Sequence, residues 1–289
     1  MSVQKGLVSV VISSYNHEPY IEEAILSVLG QSYPSVELLV VDDGSTDNSV
    51  ERIRRLQERH GFDFRVQQNK GLTRTLNEAF ARAKGEFFAP FGSDDIMLPD
   101  RLAVQMAHME GKPEVGICSG NMQLIRADGS RYSNADPGEH APYRRLQFDD
   151  LFRNRKSGIS APTMLIRREA FEKAGGFNPD IRLEDLYIQL KITRLGYCVD
   201  ALGVLMAKYR KHETNAHKNI RFMTESILRI YAEYSDHPDY DRVRYRFINS
   251  MFAKSAKRDH QLARELLAML PLREWTPRTL KSLIRYVFS

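Results

Sequence analysis

Short apolar runs rich in β-branched and aromatic residues recur along the first hundred positions, and segments with helical periodicity separate them. Leu7 to Ser13 is one run, Val36 to Val41 a second and Glu86 to Phe91 a third. These runs lack the polar alternation of a half-exposed strand, so both faces of each must be covered. A chain that alternates such strands with helices builds a mainly parallel sheet between helical layers. The helices are legible too. Pro19 suits a first helical position, Ile21, Ile25, Val28 and Leu29 share a face, and Gly30 closes it. Asp47 can cap a helix whose face is Val50, Ile53 and Leu56. Leu72, Leu76, Ala79, Phe80 and Ala83 mark a third helix, and Pro99 opens a fourth through Leu102, Met106 and Met109.

The second half reads as mixed. Asp128-Gly129 is a hairpin turn, and Tyr132 to Arg145 reads as a long polar surface loop. Ala161 to Ile166 is read as a strand, and Arg168 to Ala174 as a short helix ended by Gly175-Gly176. A further helix runs from Glu184 to Gly196. After Ala216 only helical patterns remain, which divides the chain into an α/β domain over residues 1–215 and a helical extension over 216–289. Residues 208–289 carry 17 Lys and Arg against 9 Asp and Glu, whereas the first 207 carry 25 against 28, so the basic character belongs to the tail from Lys208 onward. An anionic surface, nucleic acid or an anionic substrate is the implied partner. With 42% apolar and 27% charged residues the chain is neither disordered nor a polytopic membrane protein. Cys118 and Cys198 form no C-x-x-C pair and read as buried free thiols. No signal peptide is legible at the start, and a cytoplasmic address is expected.

In parallel sheets ligands bind beyond the carboxyl ends of the strands. No G-x-G-x-x-G follows the first run, which speaks against dinucleotide binding. Instead the run ends in Ser13-Ser14-Tyr15-Asn16, where Tyr15 can stack on a nucleobase or simply pack in a loop. The second ends in Asp42-Asp43-Gly44-Ser45, where a carboxylate can accept from an imide N–H, although Asp and Gly are also ordinary turn residues. Asp94-Asp95 follows the third; adjacent carboxylates there suit a hard divalent cation or, alternatively, a turn and helix cap. Glu184-Asp185 opens a helix, where acids suit the dipole and a carboxylate can also serve as general base. His212 in Tyr209-Arg210-Lys211-His212 can ligate a metal or be structural.

Taken in order, these pieces resemble the family 2 glycosyltransferases, which have the GT-A fold. The resemblance runs from Val8 to Asn16, through Val40 to Asp47, Asn69-Lys70-Gly71-Leu72, Ala83 to Glu86, Ser93-Asp94-Asp95, Gly175-Gly176-Phe177 and Glu184-Asp185, to Tyr209–His212. It implies an α/β, GT-A-type mainly parallel sheet flanked by helices, and an inverting transfer from a nucleotide sugar. Tyr15 matches the base-stacking aromatic and Asp43, with Asp42 beside it, the acid that reads a pyrimidine N3–H. Ser13, Gly71, Arg74, Ser93 and Asp94 complete the expected nucleotide site. Asp94, Asp95 and His212 are the expected ligands of Mg²⁺ or Mn²⁺, Asp185 the expected base, and Glu184 and Arg210 the residues expected near sugar and acceptor.

Two departures stand out. Gly92 occupies the place of the first acid of Asp-x-Asp, which usually contacts ribose, and Thr75-Leu76 replaces a common Ala-Arg, so that Arg74 takes the phosphate contact. The expected donor is a pyrimidine nucleotide sugar: similarity to bacterial rhamnosyltransferases of lipopolysaccharide core assembly, and to a lesser degree Gly92 as compatible with a deoxyribose nucleotide, implies dTDP-β-L-rhamnose and an α-L-rhamnoside product, with a UDP-sugar as the alternative. The expected acceptor is a lipopolysaccharide core, another cell-surface glycan or a lipid-linked saccharide at the inner face of the cytoplasmic membrane, with no nucleic-acid partner. A nucleotidyltransferase would need a glycine-rich phosphate loop that is missing, and a non-catalytic binding protein would leave the acidic clusters unexplained. At the end, Arg278 to Phe288 reads as a short helix with Leu280, Leu283, Ile284 and Val287 on one face and basic residues on the other, a pattern suited to an anionic membrane interface beside Trp275.

Overall fold

The protein is described by a computed structural model over residues 2–133, 137–155, 158–181, 183–212 and 219–287. It has two compact units: Met1–Leu151 with Lys156–Glu213, and Phe152–Arg155 with Thr214–Ser289. Among the described residues nine strands form one sheet: β1 (Gln4–Ser14), β2 (Val36–Asp42), β3 (Asp63–Val66), β4 (Gly85–Gly92), β5 (Ile96–Met97), β6 (Val115–Arg126), β7 (Arg144–Leu146), β8 (Leu165–Arg167) and β9 (Cys198–Lys211). Their order is β3-β2-β1-β4-β8-β6-β9-β5, with β7 also on β9. The neighbours β3, β2, β1 and β4 are parallel, as are β6 and β9, while β8, β5 and β7 pair antiparallel. The helices are α1 (Ile21–Leu29), α2 (Ser49–His60), α3 (Leu72–Arg82), α4 (Arg101–Met109), α5 (Phe148–Phe152), α6 (Arg168–Lys173), α7 (Glu184–Arg194), α8 (Ile220–Ala232), α9 (Tyr240–Ser255), α10 (His260–Ala268) and α11 (Pro277–Val287).

The continuous apolar runs became the central strands because helices cover both faces. Val8, Val10 and Ile12 of β1 share a buried cluster with Ile21, Ile25 and Val28 of α1, Ile53 and Leu56 of α2, and Leu102 of α4. Elsewhere in this unit Phe80 stacks on Phe88 at 4.3 Å, and Phe171 meets Phe177 edge-on at 5.0 Å. This aromatic cluster fixes the Gly176-Phe177 turn that leads toward α7. Asn77 of α3 holds the same turn from both sides: its Nδ2 donates to Phe177 O at 2.7 Å, and its Oδ1 accepts from Phe177 N at 3.0 Å. Gly176 is required there, since its φ is +73° and a Cβ would sit 3.0 Å from Asn77 Oδ1.

Three expectations change. The strand expected over Ala161 to Ile166 is a 3₁₀ turn at Ala161–Thr163 followed by β8. Here Arg101 donates to Pro162 O and Met164 O, and Gln105 to Thr163 O, so side chains of α4 satisfy carbonyls that a neighbouring strand would otherwise take. The loop expected over Tyr132 to Arg145 contains a buried Glu139, paired with Arg131, and ends in β7; its residues 134–136 lie outside the described ones. Strands β3, β5, β6 and β7 were not anticipated.

In the second unit Ile248, Met251 and Phe252 of α9 pack with Leu262, Ala263 and Leu266 of α10, and Trp275, Leu283 and Tyr286 pack against them. Asn219 and Asp259 cap α8 and α10 by accepting from Phe222 N and Leu262 N, each at 2.9 Å. The inward side of α11 differs from the expected apolar stripe. Thr279 and Ser282 are buried, and Thr279 Oγ1 donates to Asn249 Oδ1. That polar stitch turns Leu280 and Ile284 outward, 52% and 62% exposed. Phe288 lies outside the described residues.

Candidate active site

The carboxyl ends of β1, β2 and β4 carry three loops that hold one another. Asn16, at φ +52°, accepts from Thr46 N at 2.8 Å and donates its own N–H to Ser45 Oγ at 2.9 Å. Asp42 is fully buried and turned inward on its own loop, accepting from Ser45 N at 2.8 Å and Ser45 Oγ at 2.6 Å. Asp43 faces the α3 entrance: it accepts from Gln67 Nε2 at 2.7 Å, Lys70 N at 2.9 Å and Gly71 N at 2.9 Å. A carboxylate has roughly four acceptor positions, so about one is left for a ligand donor. Tyr15 is 48% exposed, a ring face open at the rim. Ser13 is half-buried in register with Gly92. Arg74 is exposed on α3 and lies 3.9 Å from Asp180.

The turn after β4 is tied to the end of β9. β5 pairs with β9 at Ile96–Lys208 and Met97–Ala207, which carries the following residues of β9 alongside the Asp94-Asp95 turn. His212 Nε2 lies 2.8 Å from Asp94 Oδ2. Asp95 is buried, and its Oδ1 accepts from Arg210 N at 2.9 Å; burial and the neighbouring Asp94 push its carboxyl well above the usual range. Gly92 has a packing reason as well: a Cβ there would lie 2.7 Å from Asp95 Oδ2 and 2.9 Å from Asp94 Oδ1. Arg210, expected beside sugar or acceptor, is instead a buried fastener. It donates to Asp94 O at 2.8 Å, Arg126 O at 3.3 Å and Ala127 O at 2.9 Å, pairs with Glu23, and lies 4.9 Å over the Tyr20 ring. With these partners the guanidinium anchors the Asp94 backbone.

The residues able to hold a cation differ from those expected by one member. Ring nitrogens of His17 and His212 and a carboxylate oxygen of Asp94 all lie within 4.8 Å of one another. Two imidazoles and a carboxylate at that spacing fit a divalent cation. Asp95 is outside this group and His17 inside it. Burial lowers the His17 pKa, partly offset by Asp94, so burial favours the neutral ring that can ligate. Nothing in the sequence singled out His17, because its partners are distant in the chain.

Glu184 and Asp185 begin α7. Loss of hydration, then Asp185, pushes Glu184 to about 8; burial raises Asp185 as well, although Leu186 N donates to its Oδ1 at 2.6 Å. Burial raises the Tyr209 phenol, and the charges of Asp95, Asp94, Asp185 and Glu184 raise it further.

Comparison with known proteins identifies the class. Residues 9–175 match Glycosyl transferase family 2, and the chain belongs to that family. It is 33% identical over 215 residues to the putative teichuronic acid biosynthesis glycosyltransferase TuaG of Bacillus subtilis, covering 73% of this chain and 81% of that one. It is 29% identical over 215 residues to the Escherichia coli UDP-Glc:alpha-D-GlcNAc-diphosphoundecaprenol beta-1,3-glucosyltransferase WfgD, covering 74% and 80%. Among solved structures, TarS of S. aureus has a TM-score of 0.69 at 16% identity, covering 98% of this chain and 53% of that one. The mannosyltransferase PcManGT of Pyrobaculum calidifontis, solved with GDP-Man and Mn²⁺, has a TM-score of 0.62 at 21% identity, covering 97% and 86%. These neighbours establish the GT-A-type fold.

Proposed function

We propose that the protein moves a sugar, with inversion, from a pyrimidine nucleoside diphosphate to a hydroxyl of a lipid-linked or cell-surface glycan. The observation that carries this reading is the His17–Asp94–His212 group at the carboxyl ends of the strands, where a cation could meet a diphosphate, in a chain of the Glycosyl transferase family 2. In this scheme the acceptor oxygen bonds to the anomeric carbon as the bond to the diphosphate breaks. The electron pair leaves with the nucleoside diphosphate, and the acceptor proton passes to Asp185. Burial and Asp185 raise the Glu184 carboxyl to about 8, which favours a single negative charge on the Glu184-Asp185 pair near neutrality. Asp43 accepts from N3–H of the base and Tyr15 stacks on it, while Ser13, Gly71, Arg74 and Ser93 line the nucleotide. Mg²⁺ or Mn²⁺ held by Asp94 and His212 would supply positive charge opposite the leaving diphosphate. Residues 1–215 contain all of these groups.

A UDP-sugar is the better-supported donor. The WfgD relative is named for UDP-Glc and for a lipid diphosphate acceptor. The similarity to bacterial rhamnosyltransferases that suggested dTDP-β-L-rhamnose finds no counterpart in TuaG or WfgD, neither of which is named for rhamnose. The extension supports an anionic membrane surface as the place of work. Leu272, Leu280 and Ile284 are exposed beside exposed Arg273, Arg278 and Lys281. Among the described residues no helix is long and apolar enough to cross a membrane.

The test is a thermal-shift panel of UDP, dTDP, GDP and ADP and their sugars with Mn²⁺. A ligand at 100 times its Kd stabilises by about 2.7 kcal/mol. UDP and UDP-sugars should give the largest shifts. Tighter binding of GDP or ADP than of both pyrimidine diphosphates would overturn the donor assignment.

A further inference from the structure

His17 stands in none of the motifs that identify the family, yet the fold builds a place for it. It follows Asn16 in the turn after β1, and its N–H donates to Ser49 Oγ at 3.2 Å. Its Nδ1 lies 2.7 Å from Ser93 Oγ, the hydroxyl next to Asp94. The ring meets His212 edge-on at 5.4 Å and 84°, and Tyr20 stacks on His212 at 5.4 Å and 28°. Both imidazoles are thus oriented by neighbours that are not themselves in the His17–Asp94–His212 group. A hydrogen bond at one ring nitrogen is the usual companion of metal ligation at the other, because it fixes the tautomer and the ring plane.

We propose that His17 is a third protein ligand of the divalent cation, and that the resulting two-imidazole, one-carboxylate set favours a transition-metal ion over Mg²⁺. The proposal rests on the reading that Asp94 and His212 hold that cation. Mg²⁺ is a hard ion that keeps oxygen ligands and surrenders water reluctantly, so each imidazole that replaces an oxygen disfavours it. Imidazole suits later first-row ions, and Mn²⁺ and Co²⁺ accept mixed nitrogen and oxygen shells. His17 also joins the cation to the nucleotide loop, because Asn16 beside it is bonded to Thr46 and Ser45.

The test uses the full chain loaded with Mn²⁺ in the presence of UDP, read by pulsed EPR and by competition calorimetry with Mg²⁺. The wild type should show nitrogen coupling from two imidazoles and bind Mn²⁺ more tightly than Mg²⁺. H17Q should lose one imidazole coupling. It should also weaken Mn²⁺ binding by at least about tenfold, the lower end of the loss seen even for outer-shell partners, and change Mg²⁺ binding less. H17D, which restores an oxygen ligand, should recover cation binding with its preference moved toward Mg²⁺, an outcome that a purely packing role would not give. Unchanged nitrogen coupling and Mn²⁺ affinity in H17Q, with loss in D94N and H212Q, would overturn the His17 assignment and keep the two-residue site. Mn²⁺ binding unaffected by D94N and H212Q as well would overturn the site reading itself.

Discussion

Glu184 and Asp185 show how a single residue's environment sets its chemistry. Two adjacent carboxyls that have lost hydration resist a second negative charge, so one proton stays with the pair near neutrality. For Glu184 the folded-state value of about 8 stands above an ordinary 4.5. A raised carboxyl stabilises the fold fully below its unfolded value, and the benefit is lost as pH rises through the folded one. Stability should therefore decline between pH 4.5 and about 8, and E184Q, which cannot ionise, should flatten that decline. Urea denaturation at a series of pH values reads the slope, and a slope equal to the wild type's would contradict the raised value. Residue-scale legibility was uneven for a physical reason. Asp43, Asp94 and Asp185 stand at strand or helix ends where local sequence already suggests chemistry. His17 and Arg210 acquire their surroundings from segments far away in the chain. Arg210, surrounded by cations in the sequence, gave no sign that the fold would bury it among backbone carbonyls.

At the scale of elements, β1, β2 and β4 could be read because helices on both faces demand unbroken apolar runs. β6 could not: Ser119-Gly120-Asn121 interrupts it, and the buried Asn121 side chain donates to Glu139 O and Ala141 O rather than to a neighbouring strand. β3 and β5 are too short to show periodicity, and β7 lies inside a polar stretch. α11 was legible as a helix, but its inward face was only partly so, because Thr279 and Ser282 are buried and Leu283 packs on the unit's core, while Leu280 and Ile284 stay exposed. Its exposed Leu280 and Ile284 give an element-scale prediction. L280D/I284D should bind anionic vesicles several-fold more weakly than the wild type at low salt while melting at nearly the same temperature. Each basic side chain near such a surface contributes about 1 kcal/mol, so added salt should weaken both proteins. Equal sedimentation of variant and wild type would remove the membrane role. Deleting residues 275–289 is the poorer experiment, since Trp275, Leu283 and Tyr286 pack on the unit's core.

Across the whole molecule, the charge imbalance and the location of the site point to a division of labour. The unit that contains the sheet has 26 Lys and Arg against 29 Asp and Glu and carries every proposed site residue, while the other unit has 16 against 8. Family membership and the sheet architecture were legible from the order of short motifs, each weak alone, because chain order fixes which loops share one edge of a parallel sheet. The donor sugar was not legible, since nothing local distinguishes one hexose from another. The central claim is transfer with Asp185 as base, and D185N tests it most directly. Asn keeps the side chain's shape and removes its capacity to take a proton. Measured on one preparation, D185N should bind UDP and Mn²⁺ as the wild type does while sugar transfer falls by roughly 10²- to 10⁴-fold. Transfer at a near-wild-type rate by a D185N protein with intact donor binding would contradict the account.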